Sequence, residues 1–340
     1  MRTIIRIFPL FALLLVSCER VNDPSLFPAG SGYFILNEGN YLAGNGSVSF
    51  YSSETNKIHN DLFTAQNGRA LGDIPSFLAV DGDRGFIIVN NSGTIEVVSM
   101  LTMESIATVT GLDSPRQMVI RGRRGYVSSL SSNEVTVIDL DRLEISGDFN
   151  IGCTSEAMAI SGDILFSAFW SGGNRIVVTD LATEEVITTI TVGLEPESMV
   201  LDGNNNLWVL CTGGWNGEEK PRLVRINTVT FEKEAEMFFR TNTDNPSSLI
   251  ANAAGDTLYF LDEGVRRMPV TASGLPSEAY IPAGARLFYK LAAGPGGQVA
   301  VTDAIDYQQK GDFLVYNSKG ELADTKQAGI IPGFMCFMHD

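Results

Sequence analysis

The side chains best suited to chemistry are few in this sequence, and their spacing serves little of it. The two histidines, His59 and His339, stand near opposite ends of the chain, and Cys18, Cys153, Cys211 and Cys336 form no CxxC or HxxxH pattern. Structural zinc needs such ligands close together, so that class is set aside. The sequence contains no nucleophile elbow, phosphate-binding glycine loop or zinc-protease signature, and nothing around either histidine marks a catalytic base. Carboxylates such as Glu156, Glu197, Asp303 and Asp306 could form an acid and base pair or hold calcium. Acidic residues in turns more often accept hydrogen bonds from nearby backbone. With 24 Lys and Arg against 40 Asp and Glu, the formal net charge is −16, which excludes a basic nucleic-acid binder. The expectation is a protein that is not an enzyme, with no metal and no cofactor.

What could position a binding surface emerges from self-similarity. Segments beginning Pro75, Pro115, Ser155, Pro196 and Pro246 align without gaps, and Phe288 and Pro332 extend the series, at intervals of 40, 40, 41, 50, 42 and 44 residues. The long interval contains an insertion around Thr212 to Pro221. Each anchor is followed by three further strand-like runs, as in Gly85 to Val89, Thr94 to Val98 and the stretch closing each repeat on a glycine. Four short antiparallel strands per forty residues is the period of a propeller blade, whereas the rungs of a parallel solenoid are much shorter. The last anchor has no room for three more strands, while Tyr33 to Phe63 supplies three runs with no anchor before them. Together they make one blade. The predicted fold is therefore all-β, a seven-bladed propeller over residues 32–340, closed by the C-terminal strand pairing into the N-terminal blade. No convincing amphipathic helix is found.

In such a blade the loop entering the first strand and the turn between the second and third lie at one end, so both sets converge on the mouth of the central channel. The residue after each anchor gives a ring of Ser76, Arg116, Glu156, Glu197, Ser247, Tyr289 and Gly333. Apolar residues two positions later, such as Met118 and Met199, predict a packed layer beneath. The turns add Asn37, Glu38, Asn40 and Tyr41, Asn90, Trp170, Trp215, and Asp306 with Tyr307. Aromatics on polar, glycine-flanked loops are costly to leave in water, so a broad aromatic-rimmed polar bowl is the candidate site. Its ligand-binding residues are Asn37, Glu38, Asn40, Tyr41, Asn90, Arg116, Glu156, Trp170, Glu197, Trp215, Tyr289, Asp306 and Tyr307. The competing expectation is that Arg116, Glu156 and Glu197 pair with one another structurally.

The N-terminus reads as an address. Arg2 and Arg6 precede an apolar run ending in Leu15-Val16-Ser17-Cys18, which resembles the bacterial lipobox. The expected division is a lipoprotein signal peptide at 1–17, a lipidated tether at 18–31 with the acyl chains on Cys18, and then the propeller, held to the membrane by the lipid anchor alone.

The Pro-x-x-Met anchors, the third strand Val135-Thr-Val-Ile-Asp139 and the Val192-Gly193 blade end resemble the YncE-like seven-bladed propellers. Leu36-Asn-Glu-Gly-Asn40 soon after a lipobox, Gly72-Asp73, Asp303-Ala-Ile-Asp-Tyr307 and Gly329-Ile-Ile-Pro332 are similar, more narrowly, to Bacteroidetes surface lipoproteins that include the BtuG cobalamin-capture family. That resemblance implies an outer-membrane, cell-surface lipoprotein that captures a corrinoid (vitamin B12) and passes it to a TonB-dependent outer-membrane transporter. A large, amphipathic, amide-rimmed ligand suits a wide bowl with aromatic walls. Two alternatives stand beside it: a scaffold binding a surface glycan or protein, and a lactonase-like enzyme, which would need a metal or a histidine-rich funnel.

Overall fold

Short runs rich in β-branched and aromatic residues, stopped by Gly, Asp and Asn turns, form strands throughout the chain. The structure is a computed structural model and describes residues 30–339. The expected leader at 1–17, the lipidation at Cys18 and the tether as far as residue 29 lie outside the described residues. The strands assemble into seven separate four-stranded antiparallel sheets. Blade 1 is composite: Pro332–Met338 forms its inner strand and pairs with Gly32–Asn37, followed outward by Ser47–Ser52 and Lys57–His59. Blades 2 to 7 follow in chain order, with inner strands Pro75–Asp81, Pro115–Arg121, Met158–Ser161, Pro196–Leu201, Ser247–Ala251 and Phe288–Ala293. The ring thus closes as the repeat predicted.

Burial explains why the middle strands read as nearly continuous apolar runs. Each blade is covered by a neighbour on both faces, so Asn206–Cys211 and Arg84–Val89 are buried at almost every position. Outer strands face water and are largely exposed, and in Glu185–Thr191 only Thr188 and Ile190 are covered. Apolar packing concentrates between blades. Phe166, Ile176 and Val178 of blade 4 meet Leu207, Val209 and Val224 of blade 5, and Tyr33 and Ile35 of blade 1 meet Phe313 and Val315 of blade 7. The closure is therefore packed as an ordinary interface. Cys153 and Cys211 are buried free thiols.

One element departs from the all-strand expectation. Leu62–Asn67 is a short helix between blades 1 and 2, and its Leu62 and Phe63 join the core cluster there. Six residues are too few for a helical period to show in a sequence. Among the described residues, no helix is long and apolar enough to cross a membrane.

Candidate functional site

The inner strands explain how polar side chains come to line the channel. In blade 2, Pro75 pairs with Val89 but Phe77 pairs with Ile88, so Ser76 has no partner of its own. The same slip follows Pro115, Pro196 and Phe288, and on the closing strand it falls at Gly333. A bulge of this kind bends the strand and re-aims the extra residue, here into the channel. The proline suits the position, since an inner-strand N–H facing the channel has no neighbouring strand to bond.

The channel edge leaves other backbone donors to satisfy, and the next residue along does so. Gln117 Oε1 accepts from the Met158 N–H at 2.7 Å, Ser198 Oγ from Leu249 at 3.0 Å and Ser248 Oγ from Leu291 at 3.0 Å. These side chains tie each blade to the next and account for the polar residue between anchor and methionine or leucine.

At the mouth lies a cavity of about 480 Å³. Its wall carries Glu38, Ser76, Arg116, Glu156, Trp170, Glu197, Ser248, Tyr289 and Lys290, over a floor that includes Phe77, Met199, Leu249, Leu291, Phe334 and Met335. Blade 6 contributes Ser248, one residue beyond the predicted Ser247, because its strand is bulged between Ser247 and Ile250 and Ser248 takes a left-handed φ of 57°.

The charges in this bowl are grouped. The Arg116 guanidinium donates from Nε to both Glu156 oxygens at 2.9 Å and from Nη2 to Oε1 at 2.7 Å, joining blades 3 and 4 in a fork. Burial alone would lower the Arg116 pKa, but the Glu156 carboxylate holds it raised. Lys290 stands 3.5 Å from Glu197, a looser contact spanning blades 7 and 5. The Tyr289 hydroxyl donates to Glu38 Oε1 at 2.9 Å, and the Tyr289 ring meets Tyr307 edge-on at 5.5 Å. Burial pushes the Glu38 carboxyl above its ordinary range, against the pull of the Tyr289 hydrogen bond and the charges of Lys290 and Arg116. Tyr289 is raised as well, by burial and then by the neighbouring Glu38.

Of the predicted site residues, Glu38, Arg116, Glu156, Trp170, Glu197 and Tyr289 are brought together on this wall. Others are placed elsewhere. Asn37 is fully buried; its amide donates to Ser49 Oγ at 2.9 Å and its Oδ1 accepts from the Gly329 N–H, so it locks the closure and is not available to a ligand. Asn90 is half-buried and donates to the Pro115 carbonyl at 2.9 Å, holding blade 2 to blade 3. Asn40 and Asn45 bond each other within the first rim loop. Asp306 caps its own turn through the Gln308 and Gln309 N–H groups, which lower its pKa. Asp303 is buried and spent on the Leu287 and Ile305 N–H groups and on Arg286.

Tyr307 braces Tyr289, while Tyr41 and Trp215 are 69% and 83% exposed outside the cavity lining. The insertion bearing Trp215 folds on itself, with Glu219 N–H bonded to Gly213 and Gly217 N–H to Gly214, and Trp215 is not among the residues that line the cavity. Sequence reasoning missed Lys290. Its signal was available, because a bulge at Tyr289 also swings the following residue toward the channel. Among the described residues no group of three or more His, Cys, Asp and Glu is placed to hold a metal ion.

Comparison with known proteins agrees with this architecture. The family described as Domain of unknown function (DUF5074) matches residues 31–284. No curated protein matches the chain. A quinonprotein alcohol dehydrogenase-like protein from Bacteroides thetaiotaomicron is 15% identical with a TM-score of 0.68, covering 91% of this chain and 78% of its own. A candidate 6-phosphogluconolactonase from Bacteroides uniformis is 14% identical with a TM-score of 0.66, covering 91% and 100%. A protein from Lactobacillus plantarum is 11% identical with a TM-score of 0.69, covering 92% and 100%. At such identities the likeness extends to the fold alone.

Proposed function

We propose, from the premise that the chain belongs to the DUF5074 family, that this propeller is a binding module which captures an amphipathic nutrient in its central bowl and is not an enzyme. The observation that carries the reading is the combination of an apolar floor with a polar wall on which Arg116 and Lys290 already answer Glu156 and Glu197. Such a surface suits a ligand with a broad apolar body and an uncharged hydrogen-bonding edge. Glu156 and Glu197, the carboxylates best placed for acid and base work, are engaged by Arg116 and Lys290.

The ligand we propose is a corrinoid. A macrocycle wider than the cavity would seat one face against the floor and rest its amides on the wall and Trp170. The resemblance of the lipobox and of the Leu36-Asn-Glu-Gly-Asn40 segment to the corrinoid-capturing surface lipoproteins supports the same ligand. It further supports an outer-membrane, cell-surface lipoprotein anchored through Cys18, delivering its ligand to a TonB-dependent transporter.

A second reading, a propeller that binds a surface glycan or protein, is favoured by Tyr41, Leu42 and Trp215, all strongly exposed on rim loops. Calorimetric titration of residues 19–340 with cyanocobalamin separates the two. Tight one-to-one binding is expected, and no heat at high micromolar ligand would turn the search to glycans and membrane partners.

A further inference from the structure

Glu38 is held more firmly than a rim residue needs to be. Its N–H donates to the Ile331 carbonyl at 2.8 Å, and its own carbonyl accepts from the Ile74 N–H at 3.2 Å, so its backbone is clamped between the closing strand and blade 2. The side chain then crosses directly over Gly333, where a Cβ would lie 2.0 Å from Glu38 Oε1. Only glycine leaves room for that path. The carboxyl ends under Tyr289, whose hydroxyl donates to Oε1, and Tyr289 is itself braced by Tyr307.

The other oxygen is different. Glu38 lines the cavity, and among the described residues no hydrogen bond reaches its Oε2. The charged and titratable groups facing this carboxyl are Tyr289, Lys290 and Tyr307 of blade 7, Arg116 of blade 3 and Glu156 of blade 4. Arg116 is committed to Glu156, and Lys290 to Glu197. Glu38 is therefore the ionisable group of the wall whose charge no basic side chain answers at close range. With it ionised, the wall holds three carboxylates against two cations; with it protonated, charges balance.

We propose that Glu38 selects the ligand: as the neutral acid it keeps Oε1 under the Tyr289 hydroxyl and turns Oε2–H into the bowl, donating to an amide carbonyl of an uncharged ligand, and as the carboxylate it repels anionic ones. The inference rests on the bowl being the ligand site. Its substrate class is the neutral primary or secondary amide, presented on the blade 1 and blade 7 side of the channel. The burial that raises Glu38 makes the acid form accessible at higher pH than in a free glutamate.

The test compares wild type, Glu38→Gln and Glu38→Ala with cyanocobalamin between pH 5 and pH 8. A glutamine amide donates as the protonated acid does and does not titrate. Wild-type affinity should fall by about tenfold as Glu38 ionises, the worth of one neutral hydrogen bond. Glu38→Gln should stay flat near the acidic wild-type value, and Glu38→Ala should be weak throughout. A Glu38→Gln protein that keeps the wild-type slope overturns the assignment.

If cyanocobalamin binds none of the three, the corrinoid reading fails, and Glu38 is judged separately with propionamide and propionate, followed by the backbone amide resonances of Gly39 and Gly333. Shifts from propionamide in wild type and Glu38→Gln, but not in Glu38→Ala, support the assignment. Equal shifts from amide and carboxylate overturn it.

Discussion

The two sides of the bowl solve the problem of buried charge differently. On the blade 3 and blade 4 side, Arg116 and Glu156 form a forked pair between neighbouring blades, with side chains 25% and 20% exposed, and each charge is answered by the other at close range. On the blade 7 and blade 1 side, Glu38, Tyr289 and Lys290 share fewer and longer contacts, and the strongest is a neutral hydroxyl on a carboxyl. A matched ion pair serves the ring, because it fixes two blades at a cost in desolvation offset by geometry. Unsaturated groups held rigidly serve a ligand, because they lose no order when it arrives. On the proposed function, the difference assigns structure to one side of the channel and recognition to the other.

The largest effect should come from breaking the paired side. Arg116→Ala leaves Glu156 without its partner inside the wall, and a loss of about 2–3 kcal/mol is expected, below the range for fully buried pairs because both groups keep some solvent. Urea denaturation measures it. Lys290→Ala, on the other side, should change stability by no more than about 0.5 kcal/mol, because the 3.5 Å contact with Glu197 is loose and single. Equal losses from the two variants would erase the distinction between the sides. Tyr289→Phe is the next step down. It removes the single hydroxyl over Glu38 Oε1, so a stability change of about 1 kcal/mol is expected. Its effect on cyanocobalamin affinity should show only at pH values where Glu38 is protonated.

That variant leads to the pH dependence of the fold. Because burial raises Glu38, the folded protein holds this proton to a higher pH than the unfolded chain does. In the interval between the two values the native state binds more protons, so stability falls as pH rises, and above the folded value the cost is complete. The difference in urea midpoint between Glu38→Gln and wild type should therefore grow in favour of Glu38→Gln as pH rises through the Glu38 titration. A constant difference from acid to neutral pH would show that Glu38 ionises as an ordinary surface glutamate and that the two sides of the bowl are electrostatically alike.

How much of this was legible depended on which part of the backbone carried it. The repeat was visible because most inner strands carry a bulge near their start, and there the residues recur, often a proline, then two residues, then a methionine or leucine. That also made Arg116, Glu156, Glu197 and Tyr289 readable as a ring. The bulge in blade 6, with Ser248 in a left-handed conformation, shifted the ring by one residue, and no residue type announced it. Lys290 differs, because it follows a ring residue within a bulge and its place could be read from the anchor. Asn37 looked like a loop residue beside Glu38 and Gly39, yet it is the last residue of its strand and faces inward onto Ser47 and Ser49. Strand ends cannot be placed within one residue from sequence, and in a strand one residue reverses the face.

The two tryptophans carry the smallest expected effect and the sharpest local contrast. Sequence treats Trp170 and Trp215 as equivalents on neighbouring blades, since both follow the second strand and both stand beside glycines. The loop of blade 4 is short, turning back through a Gly173 N–H to Trp170 carbonyl bond at 3.1 Å, and it leaves Trp170 on the bowl wall. Blade 5 spends its insertion before its third strand, with Glu219 paired to Arg222 at 2.6 Å, and Trp215 at its tip is 83% exposed and off the cavity wall. Trp170→Ala should weaken cyanocobalamin binding by about 1–2 kcal/mol through lost apolar contact. Trp215→Ala should leave both stability and affinity within about 0.5 kcal/mol of wild type, as expected for an exposed side chain with no partner in the bowl. Calorimetry of the two single variants decides it. A loss at Trp215 equal to that at Trp170 would mean that the ligand reaches beyond the cavity to the insertion, and that the recognition side of the bowl extends across blade 5.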